Sequence, residues 1–195
     1  MIKNGKGGGN TKTGLIFEGK TDLGTFLSQQ KGYSVDIVNE QITFNGKRLK
    51  IKIRTAYYHN EKVAELYKKN EFYSSFLRKL GINWKQYISK KLLPDDSIFV
   101  IIKNTVYIIE CKHQQVNGSV DEKLQTCDFK KKEYKRLLSK ANLDIEYIYL
   151  LDDWFRNPKY KDVLDYIHSV CCEYYFEYIP LYRLGLPMPD ESEKQ

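Results

Sequence analysis

The chain has 195 residues, of which 42% are hydrophobic, so it is long enough to form one compact domain with a sizeable core. Its 32 basic and 25 acidic residues give a formal net charge of +7, which favours association with a polyanion such as nucleic acid. The sequence contains no secretory signal, no apolar run near the ~20 residues of a membrane span, and no zinc-ligand spacing among its four cysteines and three histidines. We therefore expect a cytoplasmic protein with reduced thiols and no membrane association.

The N-terminal part is predicted to contain a mobile arm, a helix and three strands. Residues 1–13 are rich in Gly and Lys and predict a flexible basic arm; their glycines lack the spacing of a phosphate-binding loop, so no nucleotide cofactor is expected. Residues 15–27 predict a helix, which Gly19 and Gly24 weaken. Alternating apolar and polar residues, with a strong turn signal at Asn45-Gly46, predict antiparallel strands at 33–38, 41–44 and 49–53.

Residues 57–91 are predicted to form a helical insertion. Basic and aromatic side chains interleave through this stretch, and residues 60–80 have the composition of a helix. Such a surface suits DNA recognition or contact between two subunits, and the sequence alone does not separate these roles.

The C-terminal half is predicted to complete a mixed sheet. Residues 97–102 and 105–111 indicate a hairpin, residues 119–140 a helix that begins with a capping box, and residues 145–151 a strand buried on both faces. A further helix is expected at about 160–172 and a disordered acidic tail at 187–195. The fold class is therefore α/β (α+β), a single domain over residues 14–186 with helices on both faces of the sheet.

Two acids and a lysine are predicted to meet at the end of the hairpin strands. Glu110 and Lys112 are two residues apart on one strand, so their side chains share a face. If the hairpin turn has two residues, Ser97 lies opposite Glu110, and Asp95 lies opposite Lys112 on the same face. A turn of three residues would place Asp96 there instead, because a slip of one residue reverses every side chain.

These three groups suit one kind of chemistry. Two adjacent carboxylates repel each other unless a cation lies between them, and Mg²⁺ is a hard ion that prefers oxygen ligands and keeps bound water. Such an ion can acidify a water molecule and stabilise the charge that develops at phosphorus, and Lys112 beside it can orient the water. The sequence therefore predicts hydrolysis of phosphodiester bonds, with Asp95, Glu110 and Lys112 as the catalytic residues.

Pro94-Asp95 followed by Glu110-x-Lys112 resembles the motif of the PD-(D/E)xK nuclease superfamily, and residues 118–138 resemble small type II restriction endonucleases. The resemblance covers residues 92–151 well and residues 14–30 loosely. It implies a restriction-endonuclease-like core with the order α-β-β-β-α-β. It also implies a Mg²⁺-dependent restriction-modification enzyme that acts as a homodimer on double-stranded DNA at a specific sequence.

Further residues are candidates for the same site. Glu18 on the first helix is either a metal ligand or a solvated carboxylate, and the backbone carbonyl of Cys111 is another candidate ligand. Candidate DNA contacts are Gln114, Lys123, Gln125 and Lys130. The alternative functions are a repair or junction-resolving nuclease with the same core and a non-catalytic DNA-binding protein that keeps the fold.

Overall fold

The computed structural model describes residues 16–17, 23–93, 97–102, 104–113 and 120–190. The strands of these ranges are β1 (Ile16–Phe17), β2 (Tyr33–Phe44), β3 (Lys47–Tyr58), β4 (Glu61–Lys68), β5 (Ser97–Ile102), β6 (Thr105–Lys112), β7 (Asp144–Leu151), β8 (Glu173–Phe176) and β9 (Ile179–Pro180). The α-helices are α1 (Leu23–Ser28), α2 (Lys69–Glu71, a π-helical turn Phe72–Phe76, and Leu77–Lys79), α3 (Val120–Leu124), α4 (Cys127–Leu137) and α5 (Lys161–Ser169).

Seven strands form one mixed sheet in the order β2-β3-β4-β5-β6-β7-β8. The pairs from β2 to β6 are antiparallel, whereas β6, β7 and β8 run parallel to one another. The step from β6 through α3 and α4 to β7 is the crossover that the sequence predicts, because parallel neighbours need a long connection. The predicted mixed sheet with helices on its faces is confirmed.

Two apolar layers cover the sheet. Val106 and Ile108 of β6 pack with the side of the core that contains α2, α4 and α5, whereas Ile109 and Cys111 pack on the opposite side, against α1 and the C-terminal segment. Ile145 and residues 147–151 of β7 are buried, with only Glu146 between them partly exposed, as expected for a central parallel strand. The site therefore lies on a strand that is covered on both faces.

The hairpin of β5 and β6 has the predicted register. Ile102 pairs with Thr105, and Ser97 pairs with Glu110, which confirms a two-residue turn. The turn between β2 and β3 is also confirmed: Asn45 and Gly46 have φ values of 52° and 73°, the positive pair that a tight hairpin requires.

The prediction of a helix over residues 60–80 is wrong for its first half, so the 57–91 insertion is only partly helical. Residues Glu61–Lys68 form β4 between β3 and β5. His59 and Asn60 both have positive φ and close a second tight hairpin, a turn that their sequence does not signal strongly. Pairing on both sides overrides the helical preference of Glu, Ala, Leu and Lys in this stretch. Helical structure begins only at Lys69.

Other predicted boundaries also change. Residues 16–17 pair with β9 as a short strand, and the first described helix is limited to Leu23–Ser28. The helix predicted at 119–140 is interrupted between α3 and α4. Residues 187–190 of the predicted tail contact the sheet, since the Tyr33 hydroxyl donates to the Pro187 carbonyl at 2.5 Å and the Tyr58 hydroxyl donates to Asp190 at 2.8 Å. The predicted arm at 1–13 and residues 191–195 lie outside the described residues.

None of the helices in the described part of the chain is both long and apolar enough to cross a membrane.

Candidate active site

Glu110 is the centre of a buried charge cluster at the end of β6. Its side chain is 1% exposed, and the Lys112 ammonium lies 2.5 Å from Oε1. The Lys130 ammonium, from helix α4, contacts both carboxylate oxygens, at 3.1 Å from Oε1 and 2.9 Å from Oε2. The Tyr147 hydroxyl donates a further hydrogen bond to Oε2. A buried carboxylate at this position is therefore stabilised by two cations and one neutral donor.

The charge on Glu110 is maintained by these neighbours. Burial by itself would raise the pKa of Glu110, since a carboxylate loses hydration in the core. The positive charges of Lys130 and Lys112 outweigh burial and, together with the hydrogen bond from Tyr147, hold the pKa below its ordinary value. Glu110 is therefore a carboxylate at neutral pH and keeps the negative charge that a cation requires.

Tyr147 and its neighbour Tyr149 were not identified as site residues from the sequence. Both lie in the apolar run of β7, and the parallel register sets Tyr149 beside Glu110 and Tyr147 beside Ile108 on the same face. Burial, then the charge of Glu110, raises the pKa of Tyr147 well above its ordinary value, so its hydroxyl stays a hydrogen-bond donor. The signal in the sequence was two tyrosines at alternate positions of a buried strand, because a buried hydroxyl needs a partner.

The lysines of α4 are not a uniformly solvated face. Lys130 is directed at Glu110 with 19% of its side chain exposed, and Lys131 is buried, where its ammonium donates to the Cys171 carbonyl and contacts Glu146 at 3.2 Å. Lys132 is the solvated member of the run and pairs with Asp128 one turn away. Helix α4 thus carries a cation into the core above the end of β6.

The chain that leads to β5 is anchored close to the site. The hydroxyl groups of Tyr73 and Tyr134 both donate to the carbonyl of Leu92, at 3.1 and 3.0 Å, and the Leu92 amide donates to the Tyr73 hydroxyl at 2.9 Å. Burial raises the pKa of Tyr73 to about 12, although the Leu92 contact lowers it in part. On the other side of the 94–96 segment, Ser97 pairs with Glu110. Both ends of the described chain around this segment are therefore fixed beside the cluster.

The structure brings together three of the predicted residues, Glu110, Lys112 and Lys130. Cys111 lies between the first two on β6, with its side chain in the opposite apolar layer. Lys123 and Gln125 are exposed to solvent near the end of α3. Four further residues, Glu18, Asp95, Asp96 and Gln114, lie outside the described residues, so the choice between the two aspartates stays a prediction.

The donor set of the site suits a hard cation. Within the described ranges, no three residues of the types His, Cys, Asp and Glu form a metal-binding group. Glu110 nevertheless already draws two ammonium groups to its carboxylate oxygens, so the position attracts positive charge. A carboxylate with an adjacent backbone carbonyl presents oxygen ligands, the type that Mg²⁺ prefers. The described residues thus supply one carboxylate of the type that such an ion prefers.

Comparison with known proteins finds one similarity, over part of the chain. Residues 43–126, a little under half of the chain, match the family model of the PD-(D/E)XK nuclease superfamily domain. No curated protein and no solved structure matches the chain. The matched segment contains Glu110 and Lys112 as well as strands β4, β5 and β6. Over this segment the chain is similar to PD-(D/E)XK nucleases, which typically use divalent metal ions, and the similarity supports a nuclease.

Proposed function

We propose that this protein is a Mg²⁺-dependent type II restriction endonuclease, which hydrolyses phosphodiester bonds at a specific sequence in double-stranded DNA. The observation that carries the proposal is the Glu110 carboxylate, buried at the end of β6 with two lysines on its oxygens, inside the segment that resembles a nuclease domain. A buried charge is costly, and a fold that only needed stability would place an apolar side chain there.

In this proposal Glu110 and Asp95 hold the metal ion, and the Cys111 carbonyl and Glu18 are further candidate ligands. The pairing of Ser97 with Glu110 supports Asp95 over Asp96, because strand alternation would place residue 95 on the face of Ser97 if the strand continued back to it. A bound Mg²⁺ supplies an acidified water molecule and neutralises charge on the phosphodiester. The protein contributes the position of the carboxylates and a site partly screened from solvent.

The two lysines have separate roles in the proposal. Lys112 extends from the same strand as Glu110 and orients the attacking water while it offsets charge on the phosphate. Lys130 reaches the site from α4 and balances Glu110 when no metal ion is bound. Once the carboxylate is shared with a metal ion, the Lys130 ammonium is available to the phosphate oxygens. This assigns Lys130 the DNA-contact role that its sequence position predicts.

We further propose a homodimer, because a two-fold symmetric protein matches a palindromic site and cuts both strands. Sedimentation of the protein with a duplex that contains its site should show two subunits for each DNA molecule. A single subunit on a cleaved site would contradict the dimer while leaving the chemistry intact.

The test of the proposed function is incubation of the purified protein with a plasmid in the presence of Mg²⁺ or of EDTA. Discrete fragments with Mg²⁺ and none with EDTA are the expected result. Glu110→Gln and Lys112→Met should each reduce cleavage by roughly 10²–10⁴-fold, the range for loss of a group that acts on the transition state.

The control is Lys132→Met, which removes a solvated lysine of the same helix that carries Lys130 and should cut normally. A smear in place of fragments would indicate a nuclease without sequence specificity. Efficient cutting of branched but not linear duplexes would indicate a junction-resolving enzyme. An intact plasmid with tight DNA binding would indicate a non-catalytic binding protein.

A further inference from the structure

Strands β2 and β3 form a long two-stranded ribbon at one edge of the sheet. They pair over twelve residues each, from Tyr33 opposite Tyr58 to Phe44 opposite Lys47. Strand β4 pairs with β3 only from Arg54 onward. In the described structure, residues 47–53 of β3 therefore pair with β2 alone, and this part of the hairpin extends beyond the body of the sheet.

One face of the ribbon is already occupied by the protein itself. Ile51 and Ile53 are buried in the same apolar layer as α2, and Ile42 packs against that layer. The Lys79 ammonium at the end of α2 contacts Glu40 at 3.0 Å. This face is therefore held against the helix and is not available to a partner.

The other face is polar, basic and exposed. Three cross-strand pairs present an uncharged polar residue beside a cation: Asn39 with Lys52, Gln41 with Lys50, and Thr43 with Arg48. All six of these residues are exposed. The acidic residues of the two strands, Asp36 and Glu40, lie on the opposite face by strand alternation. We call these six residues the ribbon face.

No ion pair neutralises the cations of the ribbon face within the described chain. Arg48, Lys50 and Lys52 have no acidic partner among the described residues, in contrast to Lys79 and Lys130, which are both paired. Ile37, on the same side of β2, is 63% exposed, so the described chain does not cover this side of the strand. The face thus carries three unneutralised positive charges over a short distance, which suits a polyanion.

The ribbon lies at the end of the sheet that carries Glu110. One row of paired residues crosses four strands: Arg54, Leu66, Val100 and Tyr107. Glu110 lies three residues after Tyr107 on β6. Because β3 runs antiparallel to β6, the same level on β3 lies three residues before Arg54, at Ile51. Residues 47–50 therefore extend up to four residues past the level of Glu110, about 13 Å at 3.3 Å per residue.

The ribbon face and Glu110 point to opposite faces of the sheet, since Ile51 and Ile53 on the reverse of the ribbon share the apolar layer of Val106 and Ile108. A duplex that contacts both must therefore lie across the end of the sheet, and the sideways distance allows it. Strands β3 and β6 are three strand spacings apart, about 14 Å. One turn of B-DNA is ~34 Å long, so a single duplex can span from the ribbon face to the Glu110 site within one turn.

We propose that the ribbon face enters the major groove of double-stranded DNA and contributes to its recognition, an inference that rests on the proposed nuclease function. The major groove, ~12 Å wide, admits a two-stranded ribbon. Arg and Lys bond to guanine edges or phosphates, and Asn and Gln bond to adenine edges. The ribbon face presents these residue types side by side, on a hairpin that extends past the end of the sheet where Glu110 lies.

The test compares two triple variants with the same change in composition. The ribbon variant is Arg48→Ala/Lys50→Ala/Lys52→Ala, and its control replaces Lys135, Arg136 and Lys140 by Ala. Both remove one Arg and two Lys, all exposed, so the net charge falls by three in each. Lys135 lines a cleft with Asn104 and Asp144, at the end of β6 and β7 opposite to Glu110.

Binding is measured by fluorescence anisotropy in EDTA with a pool of random-sequence duplexes, at several salt concentrations. For the ribbon variant we expect at least ten-fold weaker binding and a salt slope smaller by about 2–3, roughly 0.9 for each lost phosphate contact. The control triple should bind like the wild type. In a selection from the same pool, Asn39→Ala/Gln41→Ala should lose sequence preference roughly ten-fold, the value of one bidentate base contact.

The outcomes separate this inference from the proposed function. If the wild type cuts duplex DNA and the ribbon variant binds as the wild type does, the ribbon inference is wrong and the function stands. If the wild type neither binds nor cuts duplexes, both are wrong. If the ribbon variant loses affinity for single-stranded DNA but not for duplexes, the ribbon face binds single strands and the major-groove inference is wrong. A variant that is unfolded by circular dichroism is replaced by the three single substitutions, to which the same criteria apply.

Discussion

Replacement of Lys130 by Met should lower stability and strengthen the response to Mg²⁺. The substitution keeps the apolar stem and removes the ammonium that lies 2.9 and 3.1 Å from the two oxygens of Glu110. Glu110 is 1% exposed, so solvent does not replace the lost partner. Loss of the sole partner of a buried charge costs about 3–5 kcal/mol, but Lys112 and Tyr147 remain. We therefore expect a loss of about 2 kcal/mol, the value of one charge-assisted hydrogen bond.

The second part of this prediction concerns the metal ion. In the wild type a divalent cation must share the Glu110 carboxylate with the Lys130 ammonium. In Lys130→Met this competing ammonium is absent. A ten-fold gain in affinity, at a Mg²⁺ concentration well above the dissociation constant, adds about 1.4 kcal/mol of stabilisation. Mg²⁺ should therefore stabilise Lys130→Met more than it stabilises the wild type, although the variant binds and cuts DNA less well.

The assay is urea denaturation with and without Mg²⁺, with Lys132→Met as the matched control. Lys132 is exposed and pairs with Asp128 on the surface of the same helix, so its loss should change stability by no more than about 0.5 kcal/mol. Equal stabilities for the two variants, or an equal response to Mg²⁺ in Lys130→Met and the wild type, would refute the role assigned to Lys130.

Three further predictions use the same physical reasoning. Tyr147→Phe removes a hydroxyl that donates to the buried Glu110 carboxylate, and should lower the free energy of unfolding by about 1.5–3 kcal/mol in urea; no loss would contradict the contact. Burial alone would raise the pKa of Glu65, but hydrogen bonds from Lys62 and Lys79 outweigh it and hold the pKa below its ordinary 4.5. The stabilisation by the Glu65 carboxylate is therefore complete above pH 4.5 and is lost as pH falls below that value. Glu65→Gln should be less stable than the wild type at neutral pH, and this difference in stability should shrink in acid. A difference that stays constant with pH would contradict the pKa assignment. Removal of divalent ions by EDTA should abolish cleavage by the wild type and leave its far-ultraviolet circular dichroism unchanged, since two lysines balance Glu110 without a metal ion; unfolding in EDTA would show a structural metal instead.

The central sheet and the charged strand were predictable because their signals are local. The Ile- and Val-rich hairpin of β5 and β6, the apolar run of β7 and the turn at Asn45-Gly46 are each indicated by residues next to one another. The two-residue turn between β5 and β6 then set the register, which places Ser97 opposite Glu110. The face that carries Glu110 and Lys112 followed from strand alternation alone.

The parts that were missed depend on contacts between distant segments. Strand β4 has the composition of a helix, and only its two neighbours in the sheet make it extended. Lys130 is twenty residues from Glu110, and Tyr147 is thirty-seven residues away. Nothing near them in the sequence indicates a shared partner. Lysines in a charge run are usually solvated, and the exception at Lys130 arises from a helix that crosses over the end of β6.

The ribbon face shows the same distinction. The alternation that predicts β2 and β3 also separates their cations from their acids, so the composition of each face was available in the sequence. The position of the ribbon along the sheet relative to Glu110 could not be predicted from the sequence, because it depends on the pairing of β3 with β4 and of β4 with β5.

The most direct test of the proposed chemistry is a crystal structure of the protein with duplex DNA and Mn²⁺, in which anomalous scattering locates the ion. The account predicts an ion bound by an oxygen of Glu110 and by the carboxylate of Asp95, at distances of about 2.0–2.2 Å, with Lys130 turned to a phosphate. An ion bound elsewhere, or a Glu110 still held by Lys130 while DNA is in place, would contradict it.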